Sequence, residues 1–500
     1  MSSPPVSTNV NRGLAWLGVA ASLVGVLDLV AIVVIVNRWI SVEEYGIAKK
    51  CVWVFPVLDQ ATDLGLSLAV IQRNDHTPQR ISTVFWMNTM ISVGLFLIIL
   101  AAAPPLSIWV YGQPIVGWML VAYGAKLILQ NGYFIPWAMM KRELRYGEMS
   151  AIRVVANVVE FGTKIGFAAA GFGIWCFVLA PLCRTVTYFI GTQLRQRYRP
   201  LFAFSLSDAR DYVTFGLRTS ASQILFYFYT NVDYPIVGYF FGDAALGLYS
   251  MAYEIVLEPV RMISNIVVDI AFPTFARLRG NKTALVDQFV SFTRLNLITV
   301  MAFSAVVFVA SNEVISLLYP AYHGAETAIK ILCIVAILRA VGFVAPPLLD
   351  GLGHPERTLR YMMTCAVLMP LSFVLSAMFL GPYFGFNSVA LAWAIGYPVA
   401  FAVLMFMAIR TIGWSVAKYL RAVGGVALSM VAAGATAWGV YRFLPAVTGL
   451  RFGVTCAVVA VTAALLLAYT QGLTLRGVAQ SMKAKKPPDA PPPQEPPVAL

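Results

Sequence analysis

Sixteen ionisable side chains lie inside stretches that are otherwise apolar, and their spacing sets the first question about function. Asp59 and Asp63 stand four residues apart, so on a helix they share a face. Glu254, Glu258 and Arg261 fall at i, i+4 and i+7, again one stripe. Like charges at that spacing repel, and in a dry setting one member is driven toward its neutral form. Each acidic pair, with Asp28 upstream, is therefore a candidate proton or cation site, the plainer alternative being two carboxylates bathed in cavity water. Pro56 and Pro259 stand among these acids, as expected of helices opened where backbone lines a cavity. Arg261 and Arg339 sit near mid-depth of their stretches; each either lines a cavity or pairs with Glu258 or another acid. Glu160 and Lys164, four apart, read as a structural ion pair, and Arg184 as internal glue. Arg218, Arg294 and Lys330 lie near the ends of apolar runs and can snorkel to the interface.

No other chemistry competes with these charges. The six cysteines (Cys51, Cys176, Cys183, Cys333, Cys365, Cys456) lie in apolar stretches with no CxxC pair, and read as small buried hydrophobes. His76, His323 and His354 fall on separate connections and cannot form a metal cluster by spacing. Glycine-rich phosphate loops, nucleophile elbows and HExxH patterns are absent, so neither cofactor, metal nor catalytic residue is expected.

The elements that must position these charges are membrane helices. Of 500 residues, 59% are hydrophobic and 12% charged, about half the charge a soluble surface needs. Runs of about 20 apolar residues place fourteen spans between residues 13 and 472, the second at 49–72 and the eighth at 247–277. The net charge of +13 then becomes topology rather than a nucleic-acid surface. Alternate connections hold 23 of the 36 basic residues, from Arg12 through the group Arg195, Arg197, Arg199 and Arg210 to Lys486; the opposite set holds only Arg38, Lys49, Lys50, Arg442 and Arg451. By the positive-inside rule both termini are cytoplasmic.

The two halves echo one another. Trp39-Ile40-Ser41-Val42-Glu43-Glu44-Tyr45-Gly46-Ile47 answers to Phe240-Phe241-Gly242-Asp243-Ala244-Ala245-Leu246-Gly247-Leu248 at an offset of 201, and Gly132-Tyr133-Phe134-Ile135-Pro136 to Gly342-Phe343-Val344-Ala345-Pro346 at 210. The expected layout is a cytoplasmic segment 1–12, a six-helix lobe 13–195, a cytoplasmic loop 196–212, a second six-helix lobe 213–410, two further helices in 411–475, and a basic, proline-rich disordered tail 476–500. Parallel repeats of this kind bind substrate between the lobes.

Several ordered motifs resemble a known family. Asp63-Leu64-Gly65, Ile71-Gln72-Arg73 and Thr83-Val84-Phe85-Trp86-Met87-Asn88 look like the Wzx-type polysaccharide flippases, closest to the colanic-acid exporter branch. Ala252-Tyr253, Phe272-Pro273-Thr274-Phe275-Ala276, Leu332-Cys333 and Leu338-Arg339 fit the same pattern, and the likeness runs over roughly residues 11–420. It implies the all-α fold of the multidrug/oligosaccharidyl-lipid/polysaccharide exporters, two lobes around a central cavity. It also implies an undecaprenyl-pyrophosphate-linked repeat unit as cargo, moved across the bacterial inner membrane for exopolysaccharide, capsule or lipopolysaccharide synthesis. Spans thirteen and fourteen resemble the extra pair of the lipid II flippase, which forms a lipid-tail groove; Asp28 and Arg261 are counterparts of its cavity residues. On that reading Arg261, Arg339 and Arg218 contact the pyrophosphate, and Asp28, Asp59, Asp63, Glu254 and Glu258 are cavity acids available for ion coupling. A monomer is expected, with polysaccharide polymerase and chain-length or export proteins as neighbours. Two alternatives stay open: a cation-coupled drug exporter of the same superfamily, and a membrane polymerase or ligase, disfavoured because the longest outward connection, roughly 311–323, is short.

Overall fold

The computed structural model describes residues 25, 27–67, 70 and 77–472. The expected segment 1–12, most of the start of the first span, the Ile71-Gln72-Arg73 motif, the tail 476–500 and the side chain of Arg218 lie outside the described residues. What is described is almost entirely helical. In the first half these are α1 (27–38), α2 (Val42–Val52), α3 (Phe55–Asp63), α4 (Pro78–Tyr111), α5 (Pro114–Arg142), α6 (Tyr146–Phe167) and α7 (Cys176–Arg195). After a basic linker come α8 (Leu206–Asn231), α9 (Asp233–Arg277), α10 (Lys282–Val309), α11 (Ser311–Leu318), α12 (Glu326–Gly351), α13 (Pro355–Phe379), α14 (Asn387–Thr411), α15 (Val416–Phe443) and α16 (Thr448–Gln471). Among the described residues, eight helical stretches are long and apolar enough to cross a membrane, one of them the 50-residue run Tyr146–Arg195. That run is two helices joined where Gly171 and Gly173 take positive φ, 85° and 54°, a region open to glycine at little cost. Large apolar side chains such as Leu97, Ile98, Val367, Phe379 and Leu428 stand on the outside, where lipid rather than water is the solvent. The chain is a multi-pass membrane protein.

Two breaks matter for the site. The second span, expected as one helix over 49–72, is instead α2 followed by α3. Ser41 starts α2 with a reciprocal cap: its Oγ accepts from Glu44 N at 3.2 Å while Glu44 Oε2 accepts from Ser41 N at 2.8 Å. Glu43 and Glu44 in the first turn and Lys49 and Lys50 in the last both complement the helix dipole. Pro56 then restarts the chain as α3, since its ring nitrogen has no proton to continue the preceding ladder. The second break is Gly242, at φ 82° and ψ −175°, which divides α9 into a short entry and a long arm, 243–277.

The segments that echo each other in the sequence meet at these breaks. α2 packs along the start of the long arm of α9. A Cβ added at Gly46 would lie 1.9 Å from the Asp243 carbonyl oxygen, and one added at Gly247 would lie 2.0 Å from that of Val42. Each glycine thus rests on the carbonyl four residues upstream of the other, a reciprocal contact of the kind a two-fold relation requires. Elsewhere α4 packs on α5 and α6 on α7, while α12 packs on α9, α10 and α14, and α15 pairs with α16 against α10.

Candidate functional site

In the first half the charges within the helices form two groups. Glu160 and Lys164 share a face of α6, with Nζ 3.7 Å from Oε1. Arg184 of α7 donates to Glu160 Oε2 at 3.1 Å, and Lys164 donates to Asp28 of α1 at 3.3 Å. In the second group, Lys126 of α5 donates to Asp59 of α3 at 2.6 Å and Tyr123 donates to the other carboxylate oxygen at 2.8 Å, its ring stacked on Phe55. Three acids thus face three bases, and the cluster is balanced. Asp63, although one turn from Asp59, takes different partners: it accepts from the amide and hydroxyl of Ser67 at 3.1 and 2.5 Å.

In the second half, the stripe on α9 also divides. Glu254 accepts from Lys49 of α2 at 2.5 Å, and Glu258 pairs with Arg261, whose Nε donates at 3.0 Å. The expected like-charge pairs are therefore not the units the structure builds. Each carboxylate sits beside its own donor, on another helix for Asp59 and Glu254 and within the same stretch of chain for Asp63 and Glu258, which relieves the repulsion that spacing alone suggests. Arg261 keeps 37% of its side chain exposed and Arg184 43%, so both guanidiniums are half-open. Arg339 differs: it is 4% exposed, inside the second half, hydrogen-bonded to Tyr253 at 3.1 Å and packed over Trp393. The aromatic residues of α9 and α14 enclose it, whereas Arg261 is partly exposed.

A closure joins the halves at the end where α2 meets α9. Besides the two glycines, Lys49 bonds Glu254, Lys50 pairs with Asp243, and Gln113 donates to Asp243 at 2.5 Å. Asn37 donates to the Leu318 carbonyl at 2.7 Å. Sequence reasoning counted Lys49 and Lys50 simply as outward charges and gave Lys126 no role. The usable sign was that Asp243 falls within the repeated segment itself.

The Glu160 cluster yields a stability prediction. Glu160 and Lys164 are both buried, and removing one partner of a buried pair costs about 3–5 kcal/mol. Glu160→Gln is expected to lose about 3 kcal/mol, the low end, because Lys164 keeps Asp28. Thermal unfolding of the purified protein checks it; an unchanged midpoint would show that the cluster is solvated.

A family model described as "Polysaccharide biosynthesis protein" matches residues 35–324. The teichuronic acid biosynthesis protein TuaB of Bacillus subtilis (strain 168) is 24% identical over 343 residues, 68% of this chain and 70% of that protein. The lipopolysaccharide biosynthesis protein WzxC of Escherichia coli (strain K12) is 24% identical over 344 residues, 66% of this chain and 67% of that protein. Among solved structures, the lipid II flippase MurJ in an inward closed conformation superposes with a TM-score of 0.73 at 12% identity, covering 91% of this chain and 98% of that one. That last likeness is one of fold.

Proposed function

We infer the function from one premise: the chain belongs to the polysaccharide biosynthesis protein family, whose model spans more than half its length. It is a flippase that moves lipid-linked oligosaccharide units across the bacterial inner membrane for surface or secreted polysaccharide synthesis. The observation that carries the chemistry is Arg261, a half-open guanidinium at membrane depth held by a carboxylate one turn away. A pyrophosphate presents the same planar oxygen pairs as a carboxylate with more charge, so it can take the guanidinium from Glu258 in a bidentate contact. Arg184 with Glu160 supplies the matching exchange from the first half. Because Arg261 and Arg184 are each paired with a carboxylate when no substrate is bound, neither is an isolated charge in lipid.

The remaining parts of the substrate have places too. An apolar recess of about 430 Å³ lies among Leu29, Ile255, Pro259, Phe303 and Phe452, next in sequence to Asp28 and one turn from Glu258. A segment of the polyprenyl chain would lie there while the sugars occupy water between the halves. We read the chain as fourteen spans, two lobes of six plus a final pair, with both termini cytoplasmic; the Lys49–Glu254 and Lys50–Asp243 pairs then lie at the periplasmic end. Rocking of the lobes would break these pairs and release the headgroup outward. Outward movement of an anion is favoured by an inside-negative potential, by about 2.3 kcal/mol per charge per 100 mV. Asp28, Asp59 and Asp63 remain candidates for ion coupling.

Deleting the gene tests the reading. The expected phenotype is loss of the surface or secreted polymer with dye and drug sensitivity unchanged. Intact polymer with raised sensitivity to cationic dyes would instead make the protein a drug exporter.

A further inference from the structure

Arg339 has a property the transport reading does not use. It is buried at mid-helix in α12, and among the described residues no carboxylate is paired with it and Tyr253 is its one hydrogen-bond partner. The charge of Asp233 reaches it only from a distance, because that carboxylate is occupied by Tyr249 at 2.5 Å, Trp393 at 2.9 Å and the Tyr234 amide at 3.1 Å. A guanidinium carries five N–H donors and no acceptor, so most of its capacity is unspent in an environment where unmet donors are costly.

Those donors border a small space among the helices. A cavity of about 30 Å³ is lined by Phe226, Tyr229, Arg339, Phe343, Tyr361 and Tyr397, together with Gly342, Pro346 and Met362 and no acidic residue. The Tyr361 hydroxyl donates to the Tyr397 hydroxyl oxygen at 3.5 Å, a bond long enough to yield to a better acceptor. Gly342 keeps the space open, since a Cβ there would come within 2.6 Å of the Tyr397 hydroxyl oxygen. The volume suits one or two water-sized occupants. Water can bond to the tyrosine hydroxyls as donor or acceptor, but it brings no charge to set against the buried guanidinium. An anion accepts from the same donors and supplies that charge.

We infer that this cavity binds a single monatomic anion, chloride under cellular conditions, held by the Arg339 guanidinium and the Tyr361 and Tyr397 hydroxyls. The site is separate from the half-open arginines, and its walls come from four helices, α8, α12, α13 and α14. A bound anion therefore ties those helices together and completes the packing of the second half without taking part in headgroup contact.

Thermal unfolding of the full-length purified protein tests this, titrating sodium chloride against sodium gluconate at constant ionic strength. The expected result is a saturable rise in Tm with chloride, reproduced by bromide. Removing hydroxyl donors to the ion weakens it, so the double variant Tyr361→Phe, Tyr397→Phe should need about tenfold more chloride for the same response. This variant keeps both rings and carries the test even where Arg339→Gln fails to fold. Crystals grown in bromide should give an anomalous peak within hydrogen-bonding distance of the Arg339 guanidinium. Identical melting in chloride and gluconate, a titration unchanged in the double variant, or a water-filled cavity in bromide crystals would each overturn the inference.

Discussion

Gly46→Ala is expected to open the α2–α9 closure and to reduce polymer export by roughly two orders of magnitude. The added Cβ would meet the Asp243 carbonyl oxygen at 1.9 Å, and that atom belongs to a helix backbone that cannot turn aside. Overpacking of this kind costs about 1–3 kcal/mol, and the upper end shifts a closed-to-open ratio about a hundredfold. The cost falls on the closed state alone, because the two backbones part when the halves separate. Spin labels at Trp39 and Leu317, both exposed and flanking the Asn37–Leu318 contact, report the distance across this end. The variant should show a longer, broader distribution than the parent. Gly439→Ala, on a helix face with nothing within 4 Å of the new carbon, should leave distances and export unchanged. An unaltered distribution in Gly46→Ala would mean that the glycine contact does not hold the closure.

The second large effect is at Arg261. Arg261→Ala removes a bidentate donor and leaves Glu258 unpaired, so the site both loses its attraction for an anion and gains a repelling charge. Each hydrogen bond to a charged group contributes about 1.5–3 kcal/mol, so export should fall at least about a hundredfold. Arg261→Lys keeps the charge without the planar fork and should fall between, about tenfold down. Glu258→Gln frees the guanidinium and should retain transport. Polymer output in complemented deletion strains, at matched protein levels, measures all three. Wild-type output from Arg261→Ala would remove the anion contact from the account.

The helical, membrane-spanning character was legible from composition and apolar run length, and the glycine-marked turn at 171–173 fell where two spans were separated. The repeat was legible as well, and its first pair of matching segments proved to be in contact. Charge pairing was not. Spacing within one helix suggested that Glu254 would face Glu258, yet Glu254 found Lys49, 205 positions away, and Asp59 found Lys126, 67 positions away. Partners of that kind depend on which helices meet, which local periodicity does not encode. The alternation of basic residues assigns Lys49 and Lys50 to the outward side but says nothing of their partners; the capping box at Ser41 and the restart at Pro56 lay α2 against α9 and bury both lysines in ion pairs. Arg339 falls mid-helix in α12, but its enclosure is made by rings from separate helices and had no trace in the local sequence.

The most direct test is to ask which face of the membrane holds the lipid-linked units when the protein is depleted. Spheroplasts and inverted vesicles from a depletion strain can be treated with an impermeant reagent that modifies the oligosaccharide. The account predicts that undecaprenyl-pyrophosphate-linked units accumulate and are reached only in inverted vesicles, with access in spheroplasts restored by the parent protein and not by Arg261→Ala. Accumulated units modified equally well in spheroplasts would mean that they cross without this protein, and would contradict the account.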